Sequence, residues 1–117
     1  MSLSWTEHQG KRILLNDFRG LDEAAALAQL EEEVALLEAT PEKVRMLVDL
    51  SGAPIMMGFV ARARTLAPRI EQRLLRQAVL GITGVKSMLL TGFNLVSQGV
   101  PLRPFPSEES ARDYLAE

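Results

Sequence analysis

The chain has no cysteine, and it has one histidine and one tryptophan among its 117 residues. The absence of cysteine excludes disulfides, thiolate catalysis and thiolate metal sites, and it fits a cytoplasmic location. The lone histidine, His8, gives no support to a histidine-based catalytic triad, and we interpret it as a surface residue. No apolar run approaches the roughly 20 residues that a membrane span needs, and no signal peptide is predicted. The net charge of −2 provides no global field that would attract nucleic acid.

The remaining composition is typical of one folded domain. Hydrophobic residues make up 47% of the chain and charged residues 24%, a balance found in globular rather than disordered proteins. The length suits one core without linkers or repeats, so a single domain over residues 1–117 is predicted. Residues 51–90 carry six basic side chains and one acidic side chain. We favour charge balance between solvated helix faces over an anion-binding role for this segment.

The first half of the chain predicts a hairpin followed by a helix. Strands over Leu3–His8 and Lys11–Phe18 flank the turn pair Gln9-Gly10. Asp22 is a suitable N-cap for a helix that ends at Ala39, before Pro41. The apolar residues at helical spacing, which we expect to face inward, are Leu27, Leu30, Val34 and Leu37. The consecutive residues Glu31, Glu32 and Glu33 are interpreted as a solvated face.

The central segment predicts a buried strand and a helix. The run Val44–Leu50 has too few polar positions for a half-exposed strand, so it predicts a central strand that is covered on both faces. Pro54 suits the first turn of a helix that continues to about Ala67. Pro68 is expected to break or kink this helix before a second short helical turn over Arg69–Leu75.

The last part of the chain continues the alternation of strands and helices. A buried strand is predicted over Ala78–Ile82, and Thr83-Gly84 opens a helix over Val85–Gln98 that Gly99 ends. The side chains of this helix that we expect to face inward are Met88, Leu89, Phe93 and Val96. A short strand over Leu102–Phe105 and a helix from Ser107 follow. The alternation predicts an α/β domain with a mostly parallel sheet of four or five strands, right-handed crossovers and an antiparallel N-terminal hairpin.

Several of these segments resemble parts of a known protein family. The strand-turn-helix start Leu47-Val48-Asp49-Leu50-Ser51-Gly52 resembles the centre of STAS-type domains, the family of bacterial anti-sigma-factor antagonists. The later segments 78–84 and 105–115 are similar to the uncharacterised SpoIIAA-like branch, on the residues Ala78-Val79-Leu80-Gly81-Ile82-Thr83-Gly84, Phe105, Glu108, Glu109, Ala111 and Tyr114-Leu115. The resemblance extends from about Gly10 to Leu115. It implies a β-α superhelix fold, which lipid-carrying Sec14-type domains share.

The chain departs from the antagonists at the position that matters for their switch. The resemblance implies a phosphorylatable serine in an Asp-Ser-Ser-Gly-like motif where the central helix begins. Here that region reads Ile55-Met56-Met57-Gly58-Phe59, which contains no hydroxyl group, and Ser51 lies earlier, inside the turn. The sequence therefore argues against a serine-phosphorylation switch of the usual kind.

Catalytic and metal chemistry find little support in the residues. Asp17 and Asp49 both fall near strand ends, but we do not favour an acid pair formed by them, because the pattern does not fix the position of Asp17 in the sheet. A metal site without cysteine needs clustered histidine and carboxylate ligands, which the pattern does not provide. No catalytic residue, metal or cofactor is predicted.

A helix N-terminus offers free backbone amides and a favourable dipole for an anion. The turns Ser51–Pro54 and Gly81–Gly84 both follow strands, and parallel strands end at one edge of a sheet. The candidate anion site comprises Asp49, Thr83, Gly84 and Lys86. The competing interpretation, which we favour, is ordinary turn chemistry with Thr83 as a helix cap.

The central helix begins with more apolar residues than one buried stripe requires. The candidate ligand or partner surface comprises Ser51, Gly52, Met56, Met57, Phe59 and Val60. Methionine adapts to varied apolar surfaces, which suits a ligand or an interface. The alternative is that this helix is simply buried beneath the hairpin, and the two interpretations carry similar weight.

Two functions follow as hypotheses. The first is a non-enzymatic binding module that contacts a protein partner, a second copy of itself or an apolar ligand through residues 51–60. The second is a carrier or enzyme for a small anionic lipid or metabolite, bound at the helix N-termini of 51–54 and 83–86. We favour the first hypothesis, and we favour a protein without enzymatic activity over an enzyme.

Overall fold

The computed structural model describes residues 3–95 and 99–117. Five strands form one sheet, in which they lie in chain order: β1 (Leu3–His8), β2 (Lys11–Asp17), β3 (Val44–Asp49), β4 (Leu74–Leu80) and β5 (Arg103–Pro104). Strands β1 (Leu3–His8) and β2 (Lys11–Asp17) pair antiparallel, and every later pair is parallel. The predicted fold class, a mostly parallel α/β sheet with an antiparallel N-terminal hairpin, is confirmed.

The β1–β2 hairpin closes through a two-residue turn. Gln9 and Gly10 both have positive φ, at 53° and 79°, as a type I′ turn requires. On β1 the ring of Trp5 lies beneath the guanidinium of Arg12, 4.0 Å from it. His8 pairs with Asp113 at 2.8 Å, which links β1 to the last helix of the chain.

Helix α1 (Glu23–Ala39) begins as its sequence predicts, because the side chain of Asp22 accepts a hydrogen bond from the amide of Ala25. Its apolar stripe packs on the sheet through Ala26, Leu30, Val34 and Leu37. The interpretation of Glu33 as solvated is wrong, since this side chain is 3% exposed and lies on the buried face of α1. Glu31 and Glu32 are exposed as expected.

Strand β3 (Val44–Asp49) occupies the centre of the sheet, as its apolar density predicts. Val44, Met46 and Val48 face the α1 side of the sheet. Leu47 faces the opposite side, where it packs with helix α4 (Glu108–Ala116). Because side chains alternate between the two faces of a strand, both faces of β3 are covered.

Helix α2 (Met57–Glu71) differs from its prediction at both ends. It begins at Met57 rather than at Pro54, so residues 51–54 do not form a helix N-terminus. It also continues through Pro68 for three residues, because the buried side chains Leu66 and Ile70 on either side of the proline stay packed in the core. This burial outweighs the missing proline hydrogen bond. The expected helical turn over Arg69–Leu75 is therefore the end of α2 and the start of the next strand.

The remaining elements are β4 (Leu74–Leu80), α3 (Val85–Leu95), β5 (Arg103–Pro104) and α4. Strand β4 starts earlier than predicted, and α4 is capped by the hydroxyl of Ser107. In α3 only Leu90 is buried. The expectation that Met88 faces inward is wrong, because its side chain is 75% exposed. The predicted helix end at Val96–Gln98 lies outside the described residues.

Part of the positive charge of residues 51–90 is balanced by acidic side chains of the fold. Arg62 contacts Glu31 at 2.7 Å, and Arg69 contacts Glu38 at 2.8 Å, so that α2 is joined to α1 along their exposed faces. This confirms the favoured interpretation of the charge pattern for these two arginines. Within the described residues, no helix combines the length and the apolarity needed to cross a membrane.

Candidate functional site

The carboxyl ends of β3 and β4 lie side by side, with Asp49 opposite Leu80 in the register. The turns that follow these strands, 51–54 and 81–84, therefore share one edge of the sheet, as the parallel topology predicts. Gly81 has a φ of +86°, and a side chain there would meet the backbone of Ser51 at 2.4 Å. Only glycine combines this backbone conformation with so close an approach.

Asp17 and Asp49 do come together, because they are register partners at the ends of β2 and β3. Arg19 lies between them, 2.8 Å from Asp17 and 3.4 Å from Asp49. Its hydrogen bond holds the pKa of Asp17 below the ordinary range. Asp49 also accepts a hydrogen bond from the amide of Ser51 at 2.9 Å. These contacts give the two carboxylates a structural role in shaping the sheet edge.

The candidate anion residues make contacts within the protein. Lys86 lies in the first turn of α3, and its Nζ faces the carbonyls of Leu50 at 3.3 Å and Gly81 at 3.5 Å. Thr83 and Gly84 accept hydrogen bonds from the first amides of α3 through their carbonyls. Anion binding at Asp49, Thr83, Gly84 and Lys86 stays a prediction.

The N-terminus of α2 already holds a carboxylate. Oε2 of Glu23, from the first turn of α1, accepts hydrogen bonds from the amides of Gly58 at 3.1 Å and Phe59 at 3.3 Å. The amides that a bound anion would use at this helix start are therefore occupied by the protein itself.

The candidate apolar surface divides into two parts. Ser51 and Gly52 form an exposed turn, and Met57 is 62% exposed on the outer side of α2. Met56, Phe59 and Val60 are half-buried and point into a cavity. The ring of Phe59 also meets Phe18 edge-on, at 5.1 Å between centroids, so that Phe59 belongs to the core as well.

This cavity lies between the sheet and helices α1, α2 and α3, and its volume is about 160 Å³. Its walls include Met56, Phe59, Val60, Ala63, Leu89 and Phe93. Among the described residues that line it, every side chain is apolar except those of Glu33, Gln77 and Lys86. Small-molecule sites combine these properties, namely an apolar concave surface and a few polar groups.

A chain of buried polar side chains reaches the cavity from β2. Gln29 donates to the carbonyl of Asp17 at 2.8 Å and to Oδ1 of Asn16 at 2.6 Å. Asn16 in turn donates through its amide nitrogen to Oε1 of Glu33. Burial raises the pKa of Glu33 to about 8, with the Asn16 hydrogen bond opposing the shift. Burial therefore favours the neutral, protonated form of the Glu33 carboxyl group.

Sequence reasoning missed Asn16, Gln29, Glu33 and Gln77, although a signal was present for the first three. Asn16 falls between Leu14 and Phe18 at the period of two that lines one face of a strand. Gln29 and Glu33 adjoin the buried positions Leu30 and Val34 of α1. Polar residues therefore occupy inward positions in both the strand and the helix. Because buried polar groups are hydrogen-bonded, this indicates hydrogen bonds between the side chains of the two elements.

No metal cluster adds to this site, since no group of three or more histidine and acidic side chains in residues 3–95 and 99–117 is suitable for an ion. The chain is similar to an uncharacterised protein of the DUF3478 family with a SpoIIAA-like fold from Shewanella loihica PV-4, with a TM-score of 0.67 over 97% of this chain and 91% of that chain. This chain has a SpoIIAA-like fold.

The SpoIIAA-like likeness holds at 13% sequence identity, so it describes the fold alone. No family model matches the chain. No curated protein matches it either. Within this SpoIIAA-like fold, the first turn of α2 carries Met57, Gly58 and Phe59. The helix start therefore presents no hydroxyl group, in agreement with the departure seen in the sequence.

Proposed function

We propose that this SpoIIAA-like domain is a non-enzymatic binding module that holds a small apolar molecule against its sheet. The observation that carries the proposal is the cavity of about 160 Å³, whose walls are apolar but for three side chains. Removing apolar surface from water is the main driving force for such binding. Met56, Phe59 and Val60 of the predicted surface line this cavity, so the proposal keeps the apolar-ligand form of the first hypothesis.

The volume limits the size of the ligand. An engineered apolar cavity of about 150 Å³ in another protein binds benzene. A single six-membered ring or a short aliphatic chain is therefore the appropriate size for the enclosed part of the ligand.

The test is a titration of methyl-labelled protein with cyclohexane, followed by NMR. We expect saturable shifts confined to the cavity-lining methyl groups, including those of Val60 and Leu89. Ala63→Leu fills the cavity from α2 and should weaken binding by tenfold or more. Ala61→Leu adds the same group on the exposed side of the same helix and should leave binding unchanged. The proposal fails if the unaltered protein shows no saturable shifts with cyclohexane or with tetrahydropyran, a ring of nearly the same shape that carries an ether oxygen.

A further inference from the structure

The hydrogen bonds that lead to Glu33 run in one direction. The amide nitrogen of Gln29 makes two donor contacts, to the carbonyl of Asp17 and to Oδ1 of Asn16. Asn16 therefore presents its own amide nitrogen to Glu33, and Oε1 of Glu33 must accept. The proton of a neutral Glu33 then belongs on Oε2, because Oε1 already faces a donor.

Oε2 of Glu33 has no hydrogen-bond partner among the described residues, whereas Oε1 is bonded to Asn16. Every fully enclosed polar side-chain atom in the described part of the chain does have a partner. Oε2 therefore keeps contact with open space. Since Glu33 is 3% exposed overall and lines the cavity, that space is the cavity itself.

We propose that Oε2 of Glu33 donates a hydrogen bond to the ligand, which is a compact apolar molecule with a neutral acceptor oxygen, such as an ether, ketone or ester. This inference rests on the proposed function and adds the ligand chemistry to it. An unpaired donor in an apolar site discriminates strongly against ligands that lack an acceptor, because it loses its hydration without compensation.

Few polar groups surround the Glu33 carboxyl group in the cavity. The polar groups that face the same cavity are Gln77 from β4 and Lys86 from α3, while α2 and β3 contribute only apolar side chains. Asn16 and Gln29 complete the shell from β2 and α1. The pKa of about 8 means that the donor is present at pH 6 and lost at pH 9.5.

The experiment compares two rings of nearly the same shape, tetrahydropyran with its ether oxygen and cyclohexane without it. The ratio of their dissociation constants removes the shared apolar contribution. We expect the preference for tetrahydropyran to fall about tenfold from pH 6 to pH 9.5, as one hydrogen bond is lost. In Glu33→Gln the amide nitrogen replaces the hydroxyl as donor, so the ratio should be independent of pH. Glu33→Leu should reproduce the low preference at both pH values.

Each outcome decides a different point. A ratio that does not change with pH in the unaltered protein, while cyclohexane still binds, overturns the role of Glu33 and leaves the proposed function standing. A pH-dependent ratio that persists in Glu33→Gln also overturns it. If neither ring binds at either pH, the proposed function itself fails. Because Glu33→Gln preserves the contact with Asn16, the test does not depend on whether Glu33→Leu folds.

Discussion

Glu23 caps a helix to which it does not belong, since its Oε2 accepts hydrogen bonds from the amides of Gly58 and Phe59 at the start of α2. The helix has no cap of its own, because Met56 occupies the N-cap position. The carboxylate also lies in the first turn of α1, where the dipole of that helix favours it. One side chain therefore serves two helix starts and sets the position of α2 relative to α1.

Glu23→Gln should lower the free energy of unfolding by about 0.5–1 kcal/mol, because a neutral amide is a weaker cap than a carboxylate. Urea denaturation followed by circular dichroism measures the change. Glu32→Gln removes the same charge from an exposed position of α1 and should have little effect. Equal effects of the two substitutions would contradict the capping role.

The buried acid predicts a characteristic pH dependence of stability. The pKa of Glu33 is raised to about 8 in the folded state, so between about pH 5 and pH 8 the folded protein holds a proton that the unfolded chain has released. The stability from Glu33 is thus complete below pH 4 and lost as the pH rises through about 8. Relative to Glu33→Gln, the loss should reach a few kcal/mol, by the usual roughly 1.4 kcal/mol per pKa unit. If the difference between the denaturation midpoints of the two proteins does not change with pH, this prediction is refuted.

The ion pair between Arg19 and Asp17 predicts that loss of the arginine raises the pKa of Asp17. A carbon-detected NMR titration measures this pKa. In Arg19→Gln the pKa of Asp17 should rise toward its ordinary value, because the hydrogen bond from the guanidinium is its main cause of depression. Arg64→Gln removes an exposed arginine from α2 and should leave Asp17 unchanged. An unshifted Asp17 in Arg19→Gln would show that the bridge is not formed in solution.

Gly81→Ala should destabilise the domain by roughly 3 kcal/mol or more, since the new Cβ would overlap the backbone of Ser51 as well as strain the positive φ. Gly52→Ala is the matched control. Its φ is +71°, but nothing lies within 4 Å of the added atom, so only backbone strain of about 1 kcal/mol is expected. Thermal denaturation ranks the two variants, and the reverse order would disprove the close approach.

Association with a protein partner or a second copy stays a prediction, and Met57 is the residue on which it can be tested. Its exposed side chain permits Met57→Asp without loss of the core, whereas Phe59→Asp would place a charge against Phe18. Native mass spectrometry should show a dimer that Met57→Asp converts to monomers of unchanged stability. A dimer that survives the substitution, or a monomer in the unaltered protein, removes self-association through this surface.

The fold could be predicted from the sequence to the extent that single signals were unopposed. The run Val44–Leu50 has one interpretation, a strand buried on both sides, and β3 has that place. Asp22 and the Gln9-Gly10 pair mark their cap and turn by local chemistry. Where a local signal opposed packing in the core, the outcome depended on core residues that are distant in sequence. Pro68 signals a break, but the burial of Leu66 and Ile70 keeps α2 intact.

The candidate site was predictable only on its apolar side. Met56, Phe59 and Val60 stand out as surplus apolar residues, and they do line the cavity. Glu33 did not stand out, because a glutamate beside two others normally indicates solvent. Its burial depends on Asn16, seventeen positions earlier on another element. Periodicity alone places both residues inward, but it cannot show that one satisfies the other.

The walls of the cavity differ in how firmly they are held. Helix α1 buries six side chains against the sheet, whereas α3 buries Leu90 alone. Local opening costs least where the least apolar surface is exposed, so α3 is the wall that separates most readily from the rest. We therefore expect a ligand held in this cavity to leave on the α3 side, and substitutions in α3 to change its residence time more than substitutions in α1 do.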